Sequence, residues 1–187
     1  MLPASYAGIV KDLDPLKVRM KCFSAKQIIS LAGLFVFLIP SAVGQTERFG
    51  PVKYVAPKGF VKRAKDQSVT FSSVDRRTRR FCFITLYAAS AGAGSARKDF
   101  AKEWNERVVK PWEAAEDPET QTEPLSGWLV TTGDSEIYLS GNKAFVSLTV
   151  FTGYGKSVSV LGIYNDNVYL APLQAFTEGI QIDKTPK

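Results

Sequence analysis

Histidine is absent from this chain of 187 residues, and cysteine occurs only twice, as Cys22 and Cys82. The lack of histidine excludes Ser-His-Asp and Cys-His nucleophile pairs, histidine-ligated zinc, and the side chain most often used as a general base near neutral pH. So few cysteines also give no basis for a thiolate metal site. We therefore expect no metal, no cofactor and no enzymatic activity. A histidine-free hydrolase is the weakest alternative.

Long hydrophobic segments are also scarce, and the one that stands out is the uncharged run at residues 28–39. It is shorter than the roughly 20 apolar residues that a bilayer-spanning helix needs. A basic segment, residues 17–26, precedes it, and small residues ending at Gly44 follow it. This order is typical of a secretory signal peptide, with a true start at Met20 and cleavage after Gly44. It predicts a secreted or periplasmic protein; the alternative is anchoring by an uncleaved N-terminal segment.

These signals divide the chain into an N-terminal extension with a signal peptide, residues 1–44, and a single globular domain, residues 45–187. The domain has 19 basic and 16 acidic residues, a balance of +3 that does not favour nucleic-acid binding. We expect a monomer with no stable membrane span after cleavage. Cys82 is the one cysteine of the domain, and the alternation around it predicts a strand. There it is either buried apolar filler or part of an intermolecular disulfide.

Alternating apolar and polar residues, separated by turns that contain glycine, predict hairpin-linked strands. One such turn, or break, is predicted at Gly133-Asp134 between two strands. Residues 99–109 have helical periodicity, with Ser95 as N-cap and Pro111 at the end, and a last helix fits residues 169–178. The fold class predicted from these elements is α+β, an antiparallel β-sheet with helices packed on it.

The acidic, proline-rich residues 111–126 lack any apolar rhythm, and we interpret them as a long surface loop. Glu116 and Asp117 lie in its centre. Loops of this length are uncommon unless they are functional or mobile, so both residues are candidate binding residues.

The densest charge of the domain is a run of arginines, Arg76, Arg77, Arg79 and Arg80. Such a cluster can bind a phosphate, an acidic polysaccharide or an anionic membrane surface. The alternative is a solvated hairpin tip. A second basic group, residues 62–65, falls at the preceding turn, so we expect the two groups at opposite ends of a hairpin.

Two glycine-containing segments are candidate nucleotide or anion sites. Residues 153–157 are similar to the end of a phosphate-binding loop, but Val150 stands where a glycine is required and a strand follows, which predicts a hairpin turn. Tyr154, within this turn, is a candidate contact residue. Residues 92–95 precede a helix, where backbone N–H groups can hold an anion, or they form a flexible loop with a helix cap.

From Tyr54 onward, the order of elements is similar to that of a known family. The residues that carry the likeness are Tyr54, Pro57, Gly59-Phe60, Asp99-Phe100, Trp104, Gly127-Trp128, Tyr169-Leu170, Phe176, Ile180 and Ile182. On these residues the chain resembles the PsbP-like superfamily, which includes the extrinsic photosystem protein and the Mog-type Ran-binding proteins. It is more similar to small secreted bacterial members of unknown function.

This resemblance implies an α/β/α sandwich around an antiparallel sheet and a non-catalytic binding or assembly role. It carries over no catalytic residue and no photosystem partner. The sequence thus favours an exported binding or accessory protein that acts through its surface on a protein or a polyanionic surface. The rival hypothesis is a pocket for a small apolar or anionic ligand between sheet and helices, near Trp112 and Trp128.

Overall fold

A computed structural model describes residues 45–184, so the predicted signal peptide and its cleavage site lie outside the described residues. Eleven strands account for most of this part of the chain. They are β1 (Thr46–Phe49), β2 (Val52–Val55), β3 (Val61–Lys65), β4 (Ser68–Asp75), β5 (Arg80–Tyr87), β6 (Ser90–Ala91), β7 (Thr120–Leu125), β8 (Trp128–Leu139), β9 (Asn142–Gly153), β10 (Lys156–Tyr164) and β11 (Gln181–Ile182).

The helices form two groups. The first is α1 (Ala96–Trp104), which continues through a π-helical segment (Asn105–Val109) into the short α2 (Lys110–Trp112). The second is a 3-10 turn (Asn167–Tyr169) followed by α3 (Leu170–Glu178).

The strands form two antiparallel sheets. The larger has the order β3-β4-β5-β10-β9-β8-β7, with β6 also pairing with β10, and the smaller has the order β1-β2-β11. Side chains of the large sheet alternate between its two faces and build two separate cores. One core packs under α1, around Trp104 and Leu148. The other packs under α3 and the small sheet, around Tyr54, Phe71 and Phe176. The predicted α+β sandwich is therefore the observed architecture.

Helix α1 begins as the sequence predicts. Ser95 is its N-cap, and the Ser95 hydroxyl accepts a hydrogen bond from the backbone N–H of Lys98 at 3.3 Å. Phe100 and Trp104 are buried against the sheet. Glycine at position 133 makes room for this contact, because a Cβ there would lie 2.6 Å from Cζ of Phe100.

The predicted break at Gly133-Asp134 is wrong. Strand β8 runs through both residues, and Gly133 pairs with Leu148 of β9. The glycine serves helix packing instead of a turn, and a sequence pattern does not distinguish these two uses.

The predicted loop at residues 111–126 is also wrong in part. Pro111 lies inside α2, and the helical segment ends at Glu113, whose φ of 53° is left-handed. Only residues 113–119 form a loop, and β7 follows as an edge strand with every residue exposed. An exposed edge strand needs no apolar alternation and tolerates Pro124, which explains why the sequence pattern missed it.

Candidate functional site

The four predicted arginines lie together in the turn that joins β4 to β5, and all four side chains are exposed. We call Arg76–Arg80 the arginine turn. Its backbone is fixed by Asp75: one carboxylate oxygen accepts from the backbone N–H groups of Arg77 at 2.9 Å and Thr78 at 3.2 Å, and the other accepts from the Thr78 hydroxyl at 2.7 Å. These hydrogen bonds from Thr78 hold the pKa of Asp75 below its ordinary value. A deprotonated Asp75 thus stabilises the turn.

Asn165, which follows β10, holds the same turn from the neighbouring strand. Its side-chain amide donates to the carbonyl of Arg79 at 2.8 Å, and its side-chain oxygen accepts from the N–H of Phe81 at 2.8 Å. The next residue, Asp166, forms an ion pair with Arg80 at 2.8 Å. Asn165 and Asp166 are therefore in direct contact with the arginine turn. Sequence reasoning missed them because they follow the arginine turn by more than eighty positions in the chain.

The second basic group lies at the far end of the hairpin, as predicted. Lys62, Arg63 and Lys65 belong to the edge strand β3, and Lys65 pairs with Ser68 at the start of β4. Strand β4 has eight residues and so separates Lys65 from the arginine turn by about 25 Å. Lys62 is paired with Glu47 of the small sheet. The two groups form separate features.

The acidic candidates do not join the arginine turn. Glu116 and Asp117 are exposed in the loop that precedes β7, at the opposite edge of the sheet from β3. Four strand spacings separate β5 from β7, which is about 19 Å across the sheet. The structure places these residues on another part of the surface.

Tyr154 lies at the other end of the sheet, in the β9–β10 turn, beside a cleft of about 840 Å³. We call this space the Tyr154 cleft. It is lined by the β1–β2 turn, the β3–β4 turn, the chain after β5 and the β9–β10 turn: Phe49, Gly50, Pro51, Asp66, Ala88, Ala89, Ser90, Ala91, Tyr154, Gly155 and Lys156. The volume falls within the range of small-molecule sites.

The cleft is not where the rival hypothesis placed a pocket. Trp128 packs against the ring of Tyr154, with centroids 5.3 Å apart, but it belongs to the core under α3. Trp112 packs on the other core, under α1. The cleft therefore lies at the end of the large sheet and not between the sheet and a helix.

Two carboxylates are buried in the domain, both on α1. Asp99 accepts a hydrogen bond from the N–H of Ala93, and Glu103 accepts one from the hydroxyl of Ser159 at 2.8 Å and forms an ion pair with Arg107. The guanidinium of Arg107 lies 3.5 Å over the ring of Tyr87. Glu103 and Arg107 thus connect the helix to the sheet, whereas Asp99 connects it to the preceding loop; all three lie outside the lining of the Tyr154 cleft.

Within residues 45–184, no group of three or more histidine, cysteine, aspartate or glutamate side chains is placed to hold a metal ion. No helix in this same range has the length and apolar character to cross a membrane.

No protein-family profile and no curated protein matches this chain. Several solved structures are similar to it. A structure from Bacteroides thetaiotaomicron VPI-5482 aligns with a TM-score of 0.48 and 10% identity over 75% of this chain and 49% of that chain, so this chain spans about half of its length. The solution structure of cyanobacterial PsbP from Synechocystis sp. PCC 6803 aligns with a TM-score of 0.47 and 12% identity, covering 76% of this chain and 95% of that one.

LpqN, involved in cell envelope biogenesis of Mycobacterium tuberculosis, aligns with a TM-score of 0.46 and 10% identity over 77% of this chain and 87% of its own. Cyanobacterial PsbP is thus among the solved structures to which this chain is similar, in agreement with the resemblance predicted from the sequence. The fold class itself rests on the strands and helices described above.

Proposed function

We propose that this chain is an exported, non-catalytic binding protein that recognises a polyanionic partner through the arginine turn. The main support for this proposal is that the turn combines exposed arginines with a fixed backbone. Asp75 and Asn165 hold the turn in one conformation, so little backbone entropy is lost when a partner binds. Arginine side chains then supply planar, multi-donor contacts to sulfate, phosphate or carboxylate groups.

The charge around the turn supports a polyanion more than an isolated small anion. Asp75 is occupied by the backbone of the turn, and Asp166 neutralises Arg80 only in part, because the Arg80 side chain is still 48% exposed. Arg77 and Arg79 project from the tip, where Arg79 adopts a left-handed φ of 57°. Several cations spread along one turn match a ligand with repeated negative charges.

Heparin serves as a polyanionic probe for this proposal. We expect the variant with Arg76, Arg77, Arg79 and Arg80 all replaced by alanine to bind heparin at least about tenfold more weakly at low salt, with a shallower salt dependence. The matched control replaces four other exposed basic residues: Lys58, Arg97, Lys98 and Lys102. This control variant has the same net charge as the variant that lacks the four arginines. Equal weakening in both variants would show that net charge, and not the turn, governs binding.

Export is the second part of the proposal, and it is supported by the basic, apolar and small-residue segments that precede Gln45. Expression in a bacterium should place the protein outside the cytoplasm, and N-terminal sequencing should identify Gln45 as its first residue. Recovery of the protein in the cytoplasm with residues 20–44 still attached would contradict export.

A further inference from the structure

The Tyr154 cleft has the composition of a site for a small amphipathic molecule. Its lining includes the rings of Phe49, Pro51 and Tyr154 and the alanines that follow β5. The polar residues of the lining are few: Asp66, Ser90 and Lys156. Small-molecule sites combine mostly apolar walls with a few polar groups in this way.

The residue at position 154 is unusual for its turn. Three hairpins of the large sheet close with a two-residue turn in which both residues have positive φ: Ser126-Gly127, Ser140-Gly141 and Tyr154-Gly155. Such turns favour asparagine, aspartate or glycine first, and a bulky side chain there is strained. Two of the turns carry serine, whereas the third carries tyrosine at a φ of 52°. This points to use of the side chain, since the turn itself does not require it.

The ring of Tyr154 is also held in place. It packs on Trp128, and glycine at position 153 permits this, because a Cβ there would lie 2.9 Å from the Trp128 ring. Glycine at position 127 makes room for the Tyr154 hydroxyl, since a Cβ there would lie 2.7 Å from that oxygen. Tyr154 is nevertheless 41% exposed, so part of this fixed residue remains accessible.

A positive charge and the Tyr154 hydroxyl both lie close to Gly127. The Nζ atom of Lys184 is 3.4 Å from the point that a Cβ on residue 127 would occupy. The backbone before it is tied to the cleft wall, because the N–H of Asp183 donates to the carbonyl of Pro51 at 2.9 Å. A hydroxyl donor and an ammonium group beside an apolar cleft are complementary to an anionic group.

We propose that the Tyr154 cleft binds a small amphipathic anion, whose apolar body lies against Tyr154 and the lining alanines and whose anionic head is held by the Tyr154 hydroxyl and Lys184. A carboxylate and a phosphate ester share this chemistry. The site lies at the opposite end of the sheet from the arginine turn and is independent of it.

The test adds octanoate, octyl phosphate or the neutral octan-1-ol to the purified protein. Calorimetry and tryptophan fluorescence measure the binding of each probe. We expect one anion to bind per chain with a Kd below about 1 mM and at least about tenfold more tightly than octan-1-ol. The two anions distinguish a carboxylate head from a phosphate head. No saturable binding, or equal binding of anions and alcohol, would overturn the proposal.

Variants separate the ring from the turn. Tyr154→Asn keeps a residue that tolerates positive φ and removes the aromatic ring, so it should fold normally and lose at least about tenfold in affinity for the anions. Lys184→Gln should reduce the preference for anions over octan-1-ol. The matched control is Tyr138→Ala. It removes an exposed tyrosine near the C-terminal end of β8, far from Trp128 and the cleft, and should bind the anions like the parent protein. Unchanged binding by a folded Tyr154→Asn variant would contradict the assignment.

Discussion

At the scale of single residues, burial determines the chemistry of Cys82. Its side chain is 0% exposed in the core under α3, and it is a free thiol. Burial raises the pKa of this thiol to about 12, so it stays protonated and unreactive at neutral pH. The interpretation as buried apolar filler is confirmed. An intermolecular disulfide would require the core to open first.

Asn165 shows how one side chain can hold a whole turn in place. We expect Asn165→Ala to leave two backbone groups, the carbonyl of Arg79 and the N–H of Phe81, without their present partner, and to lower the free energy of unfolding by about 1–3 kcal/mol. All four arginines are retained, yet heparin binding should weaken because the turn is no longer fixed. Chemical denaturation and heparin titration measure the two effects.

Asn165→Asp is the matched control for that variant. It keeps an oxygen that accepts from Phe81, but its second carboxylate oxygen would face the carbonyl oxygen of Arg79, so this variant should also be less stable than the parent protein. Normal heparin affinity in a destabilised Asn165→Ala variant would show that the turn does not need to be held in place.

At the scale of elements, strands with many buried residues left a clear signal in the sequence, and the exposed edge strand β7 did not. The strands β5, β9 and β10 carry continuous or alternating apolar residues, and the sequence pattern located them to within a few residues. Strand β7 is exposed along its whole length, so its pairing with β8 leaves no hydrophobic signal. A hydrogen bond between the Thr122 and Thr131 hydroxyls at 2.9 Å helps to join these two strands.

The same contrast applies to the candidate sites. The arginine turn was found from the sequence because its charges are adjacent along the chain. The Tyr154 cleft was not, since its lining comes from three separate turns and from small residues after β5 that have no chemical signature. Only the tertiary structure brings the β1–β2 turn next to the β9–β10 turn.

At the scale of the whole molecule, the small sheet is joined to the large one by aromatic packing and by one ion pair. Tyr54 of β2 packs on Phe71 of β4 and on Phe176 of α3, with ring centroids 5.6 Å and 5.9 Å apart. The Tyr54 hydroxyl donates to the carboxylate of Glu47 at 2.9 Å, and Lys62 of β3 pairs with the same carboxylate. Glu47 and Lys62 therefore connect the two sheets through a charged contact at the surface.

This contact predicts how stability depends on pH. The hydrogen bond from Lys62 lowers the pKa of Glu47 from its ordinary value of 4.5, so protons bind Glu47 more weakly in the folded state than in the unfolded state. The stabilisation is present above that ordinary value and is lost as the pH falls through the lowered pKa of the folded protein. At the alkaline end, the pKa of Lys62 is raised by its hydrogen bond to Glu47, and the contribution is lost as the pH rises through that raised value.

We expect Glu47→Gln to lower the free energy of unfolding at pH 7 by less than about 1 kcal/mol, because the pair is partly exposed. The difference from the parent protein should shrink as the pH falls from about 5 to about 3, where the parent loses the same interaction. Chemical denaturation at these pH values measures the difference. A double-mutant cycle with Lys62→Gln provides the control, since the two substitutions should be less than additive if the ion pair carries the effect. A difference that stayed constant between pH 5 and pH 3, or full additivity in the cycle, would show that this ion pair does not stabilise the junction between the sheets.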